Sequence, residues 1–294
     1  MKIDEIRCRS ILTRASGYLK PVCSHSLNPY VGCGYGNTAC GTGCYVQFNH
    51  WLTRSRTWGA FLEVKMNAAE VYRATVEKEK RWVHRQGRPF AIFLSSSTEP
   101  WQPAETRYRI TRGLLDAMQD HPPDELILQT HGTGMRDDLE CVQRLSQKCH
   151  VRVHISLEGD RDRLPGLPAP AASVEDRLQL IREVSAIGLR AVACLSPLWP
   201  LEDPDSFFRS IAESGAQAVV IDHFIGGDGT ADGARTFKTG LPKIMAQASA
   251  DSIELTYRDR IAKIAGNYLP VGLSAEGFAG RYVKGGNDAL AASC

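Results

Sequence analysis

The chain has 294 residues and a net charge of +2, with 43% hydrophobic and 23% charged residues, as is ordinary for globular domains. The near-neutral charge argues against a nucleic-acid binder with a broad basic surface, and no apolar run approaches the ~20 residues of a membrane helix. We find no secretion signal. Nine cysteines in a sequence without a secretion signal favour a cytoplasmic location, where clustered cysteines usually bind metal or take part in catalysis.

The first predicted strand, at about 24–31, leads into a loop that carries Cys33, Cys40 and Cys44 in the segment SLNPYVGCGYGNTACGTGCYV. Glycines at positions 32, 34, 36, 41 and 43 predict a flexible loop that wraps a ligand. Three thiolates can hold three irons of a four-iron cluster and leave the fourth iron open for a ligand that is not protein. An open iron predicts an enzyme rather than an electron carrier.

Apolar strands then alternate with amphipathic helices. This alternation predicts about six strand–helix units around a parallel sheet, either a partial barrel or a doubly wound sheet, with the active site at the carboxyl ends of the strands. The further strands are predicted at Phe90–Leu94, Leu126–Thr130, Val151–Leu157, Leu189–Leu195 and Ala218–Asp222, and the helices near Asn67–Arg85, Ala104–Asp120, Asp137–Lys148, Val174–Ile187 and Pro204–Ser214.

The region from Gly226 onward differs in composition. The segment GGDGTADGARTFKTG is glycine-rich and polar, which is typical of either a mobile lid or a surface linker. A last helix is predicted at Tyr257–Gly266 and a last extended piece at Gly280–Gly286. We therefore divide the chain into a barrel over residues 1–225 and a C-terminal extension over residues 226–294 that packs on it or caps it.

The cysteine loop resembles that of radical S-adenosylmethionine (SAM) enzymes, and within them most the spore photoproduct lyase-like family, which has a similar Asn-Pro-Tyr-x-Gly-Cys lead-in. Further similarity lies in SSSTEPWQP, VRVHISLEG and DRLQLIREVSAIGLRAVACLSPLWP, so that it covers roughly residues 26–222. The resemblance implies a partial (β/α)6 barrel of the radical SAM type. It also implies a [4Fe-4S] cluster on Cys33, Cys40 and Cys44, reduced by a donor such as flavodoxin or ferredoxin, and SAM cleaved to a 5′-deoxyadenosyl radical.

The cysteine spacing departs from the family pattern. The family has Cys-x3-Cys-x2-Cys, whereas this chain has Cys-x6-Cys-x3-Cys, with residues 37–39 as an apparent insertion. A longer loop costs little closure entropy, so we keep the cluster prediction. The alternatives are a lost cluster or a zinc site, in which Cys23, His25 or His50 would supply the remaining ligands.

Polar side chains at the end of the second predicted strand are candidates for binding SAM. Ser97, Thr98 and Glu99 directly follow an apolar run, and Glu99 or the hydroxyls would take the ammonium group of SAM. The alternative is that the hydroxyls cap the helix predicted near Ala104.

The resemblance adds further SAM contacts. It implies that Ser156, which closes a later strand with Glu158, contacts the ribose or the methionine part, and that Tyr45 packs near the adenine. His131 stands where the spore lyase has a SAM-contacting lysine. Arg177 lies in the first turn of a helix, where the dipole disfavours a cation, so we expect a carboxylate partner in SAM or an ordinary surface salt bridge.

The resemblance does not extend to the hydrogen donor of the spore lyase. The family's donor cysteine aligns with Ser96, whose O–H bond is too strong for that role, unless Cys194 or Cys141 substitutes. We therefore expect a small-molecule or other non-DNA substrate, with a DNA-lesion lyase or a non-catalytic metal-binding protein as alternatives. Aromatic residues that either line a substrate pocket or simply pack are Tyr30, Trp101, Trp199 and His223.

Overall fold

The computed structural model describes residues 1–284. Its strands are β1 Lys2–Ile6, β2 Leu12–Arg14, β3 His25–Leu27, β4 Tyr30–Val31, β5 Phe61–Lys65, β6 Ala91–Leu94, β7 Glu125–Thr130, β8 His150–Ser156, β9 Arg190–Leu195, β10 Ala218–Ile221 and β11 Val271–Leu273. Its α-helices are α1 Ala39–Gly43, α2 His50–Thr53, α3 Ala68–His84, α4 Glu105–Tyr108, α5 Ile110–Asp120, α6 Leu139–Ser146, α7 Val174–Ala186, α8 Pro204–Glu213, α9 Phe224–Gly227, α10 Leu241–Ala248, α11 Leu255–Ala265 and α12 Ser274–Phe278.

The main sheet has the strand order β11-β10-β9-β8-β7-β6-β3-β2. All neighbouring pairs in it are parallel except β2 and β3, which are antiparallel. A second, small sheet has the order β1-β5-β4. The predicted mixed α/β fold with a parallel sheet is confirmed.

Among residues 1–284, no helix combines the length and apolar character that crossing a bilayer requires.

Three sequence-based boundaries differ from the structure. The first predicted strand is two strands in different sheets, β3 and β4, because Asn28 and Pro29 interrupt it and proline has no N–H to donate. The helix predicted at Ala104–Asp120 breaks at Arg109, which has a φ of 52°. The last predicted extended piece, Gly280–Gly286, is described only in part. Val283 forms an isolated β-bridge with Val271, and residues 285–286 lie outside the described residues.

The main sheet is strongly curved. In a flat sheet, five strand spacings of about 4.8 Å would separate β6 from β11 by about 24 Å. Yet the rings of Phe93 in β6 and Phe278 in α12, directly after β11, have centroids 6.2 Å apart. A second contact joins the two ends of the sheet: Tyr18 Oη, between β2 and β3, donates to Asp222 Oδ2, directly after β10, at 3.0 Å. The two ends of the sheet thus approach each other around a concave face.

Residues on the concave face change from apolar to polar along the strands. Ala91, Phe93, Ile127, Val192 and Cys194 belong to one buried apolar cluster on this face, with further members from β10. Strand side chains alternate with a period of two, so the residue two positions after each of these side chains also points to the concave face. These residues, at the carboxyl ends of the strands, are polar: Ser95, Gln129, Ser196 and Asp222.

Replacing Ser173 should weaken the start of α7, which carries Arg177. The Ser173 hydroxyl accepts from Asp176 N at 3.0 Å and caps this helix. Ser173→Ala should lower the free energy of unfolding by about 1 kcal/mol, measured by urea denaturation. Ser210→Ala, inside α8, removes a hydroxyl with no capping role and should change it by less than about 0.5 kcal/mol. Equal losses in both variants would contradict the capping role.

Candidate active site

A cavity of about 510 Å³ lies at the carboxyl ends of the parallel strands. Its wall is formed by the cysteine loop and by the segments that follow β6, β7, β8, β9 and β10, where sheets of this topology bind their ligands. Most of the predicted site residues line it: Cys33, Cys40, Cys44, Tyr45, Ser97, Thr98, Glu99, His131 and Glu158. Ser156 and Arg177 do not.

The cysteine loop packs tightly. Cys40 lies within α1 and Cys44 directly follows it, so the short helix fixes the spacing between them. A Cβ atom on Gly41 would lie 2.2 Å from the carbonyl oxygen of Tyr35, closer than real Cβ atoms approach. The loop therefore needs this glycine for close backbone packing, and not for the flexibility that the glycine content predicts.

The apparent insertion at residues 37–39 has a defined structure. Thr38 donates to the Tyr35 carbonyl oxygen through its backbone N at 3.0 Å and through Oγ1 at 2.8 Å. Ala39 begins α1, and its backbone N donates to the carbonyl oxygen of Ala169 at 3.1 Å. The three extra residues thus form the turn that starts α1 and attach it to a neighbouring loop.

The three thiols of the loop influence one another. Burial, together with the neighbouring Cys40, raises the pKa of Cys33 to about 12, and burial with Cys40 and Cys33 raises the pKa of Cys44. Three thiolates placed this way repel one another, and a bound metal centre removes that penalty because it deprotonates the thiols that it binds. The donor set thus fits an iron–sulfur cluster or another thiophilic metal.

No group of three or more His, Cys, Asp or Glu side chains in residues 1–284 is arranged to hold one metal ion. The extra ligands considered for zinc lie elsewhere: none of Cys23, His25 and His50 lines the cavity. The His25 ring instead contacts the Glu79 carboxylate, with Nε2 and Oε2 3.2 Å apart. In a four-iron cluster each cysteine thiolate binds a different iron, so the three cysteine sulfur atoms need not converge on one point. The metal assignment remains a prediction.

The polar end of β6 is tied to its surroundings through specific hydrogen bonds. Glu99 is 3% exposed; its Oε1 accepts from Thr130 Oγ1 at 2.7 Å and its Oε2 from His131 N at 2.8 Å. Ser97 Oγ donates to Asn28 Oδ1 at 3.0 Å. Burial raises the pKa of Glu99.

Neither hydroxyl caps the following helix. Thr98 Oγ1 donates to the carbonyl oxygen of Gly32, next to Cys33, and α4 starts after Ala104 without a side-chain cap. The alternative capping role expected for Ser97 and Thr98 is therefore wrong. Both hydroxyls instead connect the end of β6 with the segment that leads into the cysteine loop.

A buried ionic network lies beside this strand end. Glu158 Oε1 is 2.7 Å from His131 Nδ1, and Arg177 Nη1 donates to Glu158 Oε2 at 2.5 Å and to the Ser156 carbonyl oxygen at 2.7 Å. Burial acts to raise the pKa of Glu158, but the charges and hydrogen bonds of Arg177 and His131 hold it at about 2. The left-handed φ of Glu158, 56°, adds local strain of the kind found at functional sites.

The network corrects the predicted partner of Arg177. Its guanidinium is 2% exposed and bonds to Glu158, so the surface salt bridge considered from sequence is wrong. Ser156 Oγ lies 3.5 Å from His131 Nε2 and accepts from Gln129 Nε2 at 3.2 Å, behind the cavity wall. Arg177 and Ser156 therefore hold the residues that line the cavity.

The remaining candidates divide between the cavity and the core. Trp199 and His223 line the cavity. Trp101 does not, and its Nε1 donates to Asp138 Oδ2 at 2.9 Å. Tyr30 does not either, since its hydroxyl bonds to Glu105.

Neither proposed substitute for a donor cysteine lies at the cavity wall. Cys194 is fully buried in the apolar cluster below the polar ends of the strands. Cys141 lies on α6, and its thiol is 3.5 Å from Asp116 Oδ1.

Sequence reasoning missed one side of the cavity, where Tyr18, Ser196, Asp222, Asp228 and Arg235 contribute to the wall. Asp228 and Arg235 come from the glycine-rich segment after position 226, which therefore forms part of the cavity rather than a surface linker. The alternation of β10 could have identified Asp222 as inward-facing. No local pattern points to Tyr18, which lies 204 positions away from its partner Asp222.

Neutralising Glu158 should leave the buried Arg177 without its carboxylate partner. Glu158→Gln should lower the free energy of unfolding at pH 7 by about 3 kcal/mol, measured by urea denaturation. The pKa of Glu158 is lowered from 4.5 to about 2, so its contribution is complete above pH 4.5 and is lost as the pH falls towards 2. The difference from wild type should therefore shrink across this window.

Glu140→Gln is a matched control, because Glu140 pairs with Arg144 on an exposed helix surface. This control should behave like wild type at every pH. A loss of stability in Glu158→Gln that stays constant down to pH 2 would contradict the assigned ionic role.

Adding a methyl group at Gly41 should open the cysteine loop. Gly41→Ala should make Cys40 and Cys44 react several times faster with a thiol reagent, because the new Cβ cannot coexist with the Tyr35 carbonyl group. Gly240→Ala is the control, since a Cβ there meets nothing within 4 Å and the φ of Gly240 is −76°. Unchanged labelling in Gly41→Ala would mean that the loop is already loose.

No family model matches the chain. Uncharacterized proteins of Mycobacterium tuberculosis and Mycobacterium bovis are each 30% identical to it over 230 residues, covering 74% of this chain and 63% of the relative. An uncharacterized protein of Methanocaldococcus jannaschii is 25% identical over 182 residues, covering 61% of this chain and 62% of the relative. The chain thus spans less than two thirds of the length of these relatives.

Among solved structures, a cysteine-to-alanine mutant of spore photoproduct lyase is similar to the chain, with a TM-score of 0.54 and 15% sequence identity. The match covers 75% of this chain and 61% of that chain. At this identity the likeness concerns the fold. It shows that the parallel sheet and its helices are arranged as in spore photoproduct lyase over most of the chain.

Proposed function

We propose that the protein is a radical SAM enzyme with a partial (β/α)6 barrel, a [4Fe-4S] cluster on Cys33, Cys40 and Cys44, and a small-molecule or other non-DNA substrate. One observation carries the proposal: three free thiols from one loop line a single cavity with the polar ends of the parallel strands. The strong curvature of the sheet and its likeness to spore photoproduct lyase support the barrel.

The cluster and SAM, when bound, would supply one-electron cleavage of SAM and a 5′-deoxyadenosyl radical, with the electron coming from a donor such as flavodoxin or ferredoxin. The protein provides the thiolates and a fixed polar wall beside them. Glu99 lines the cavity with the cysteines, and its hydrogen bonds with Thr130 and His131 hold its carboxylate in place. It can therefore accept hydrogen bonds from the SAM ammonium group.

His131 contributes a positive charge to the same wall. Burial acts to lower its pKa, but Cys40 and Glu158 raise it well above the ordinary value, which favours the protonated ring. Protonated His131 can attract the SAM carboxylate, while Glu158 and Arg177 fix its position. Tyr45 lines the cavity directly after Cys44 and would pack against the adenine.

A DNA-lesion lyase is the alternative within the same fold. Ser96 lines the cavity and accepts from Asn28 Nδ2 at 3.3 Å, so the position aligned with the family's donor cysteine carries a hydroxyl. Together with the buried positions of Cys194 and Cys141, this favours a non-DNA substrate. Incubation of the reduced enzyme and SAM with lesion-bearing oligonucleotide should leave the lesion intact, and multiple-turnover repair would overturn this choice of substrate.

Reconstitution under anaerobic conditions tests the cluster. The protein should bind about four irons and four sulfides, and after reduction it should convert SAM to 5′-deoxyadenosine and methionine. Cys33→Ala, Cys40→Ala and Cys44→Ala should each abolish this conversion, since each removes one iron ligand.

The control is Cys149→Ala, which removes a thiol whose Sγ bonds to the Leu145 carbonyl group, away from the cavity, and which should retain activity. Stoichiometric zinc without sulfide in careful anaerobic preparations, or full cleavage by Cys40→Ala, would contradict the proposal.

A further inference from the structure

The side of the cavity formed after β9 and β10 contains a carboxylate that the proposed cluster and SAM contacts do not use. Asp222 follows β10 directly, lines the cavity and is 2% exposed. Ala218 and Val220 of the same strand belong to the apolar cluster of the concave face, and the alternation of the strand turns Asp222 to that face. Asp222 thus lies above the apolar interior, on the inner wall.

One oxygen of Asp222 is bonded and the other is not. Oδ2 accepts from Tyr18 Oη at 3.0 Å and from Ser196 Oγ at 3.1 Å. Oδ1 is buried and has no hydrogen-bond partner in residues 1–284. Burial raises the pKa of Asp222, and the hydroxyls of Ser274, Tyr18 and Ser196 and the backbone N–H of His223 oppose this rise. Neither the Ser274 hydroxyl nor the His223 N–H has hydrogen-bonding geometry with Oδ1.

The other carboxylates of the cavity wall differ in this respect. Glu99 and Asp228 accept hydrogen bonds at both of their oxygens, and Glu158 is held by His131 and Arg177. Asp222 forms no salt bridge with a Lys, Arg or His in the described part of the chain. A buried carboxylate without a cation is costly, and this one keeps an unpaired oxygen on the cavity wall, where a partner from outside the chain can meet it.

The surroundings of Asp222 suit a cation better than an anion. Phe93 and Phe278 line the same cavity and bring no charge to it. A Cβ at position 227 would lie 2.6 Å from Asp222 Oδ2, so only a glycine there leaves the carboxylate its space. A carboxylate with one unpaired oxygen on the cavity wall, and a glycine that leaves it space, together form a site for a compact positive group.

We propose that Asp222 binds a protonated nitrogen, an amine or a guanidinium group, of the small molecule on which the enzyme acts. The role as substrate site rests on the proposed function, whereas the recognition of a cation by Asp222 does not. The cavity must also hold the cluster and SAM, which limits the ligand to a small one.

Calorimetric titration of the reconstituted protein in the presence of SAM tests this inference. The probes are methylguanidinium and N-methylurea, which have nearly the same shape and differ in charge. Wild-type protein should bind methylguanidinium at least about tenfold more tightly than N-methylurea, because only the cation pairs with the carboxylate. Equal affinity for the two probes would overturn the inference, and this comparison requires no variant.

Variants then assign the site. Asp222→Asn should weaken methylguanidinium binding about tenfold or more and leave SAM affinity unchanged. Asp232→Asn, which removes an exposed carboxylate of the nearby loop, should bind methylguanidinium like wild type. Unchanged cation affinity in Asp222→Asn would overturn the inference. Weaker SAM binding with unchanged cation affinity would also overturn it and would assign Asp222 to the cofactor.

The outcome is separable from that of the proposed function. If the protein binds methylguanidinium through Asp222 but does not cleave SAM, the cation site stands and the enzyme assignment fails. If it cleaves SAM but does not distinguish the two probes, only the cation site fails.

Discussion

The buried carboxylate of Glu158 organises one wall of the cavity. It lies two residues after the end of β8, accepts from Arg177 of α7 and contacts His131 after β7. A carboxylate buried this deeply is tolerated only with charged or hydrogen-bonding partners, so it fixes both cations. His131 in turn donates its backbone N to Glu99 after β6. Three strand ends and one helix are thereby joined by ionic contacts and one backbone hydrogen bond immediately beside the cysteine loop.

Most of the main sheet could be predicted from the sequence because its strands are buried on both faces and read as continuous apolar runs. The small sheet could not. β5 reads FLEVK, and Glu63 interrupts its apolar run. The carboxylate of Glu63 is stabilised by Arg56 and Arg54, whose positions depend on the folded loop before β5. β1 is largely exposed and lacks the apolar signature altogether.

The same distinction applies to the cavity. Its cysteine side was predictable because thiols, polar strand ends and glycines lie within short sequence motifs. The family spacing did not reveal that residues 37–39 form a turn, since that depends on contacts of Thr38 and Ala39 with backbone groups. The opposite side depends on the curvature of the sheet, which brings Tyr18 to Asp222 from the other end of the strand order. Contacts of this range leave no periodic pattern in one sequence.

The two sides of the cavity differ in how their polar groups are paired. On the cysteine side, Glu99 accepts hydrogen bonds at both oxygens, and Glu158 is held by His131 and Arg177. On the other side, Arg235 directs its guanidinium to the Asp228 carbonyl oxygen, and one oxygen of Asp222 has no hydrogen-bond partner among the described residues. The three thiols and Asp222 are therefore the groups of the wall that a bound partner would complete. An iron–sulfur centre would bind the thiols, and a protonated substrate nitrogen would pair with Asp222, so that each side of the cavity would receive a different ligand.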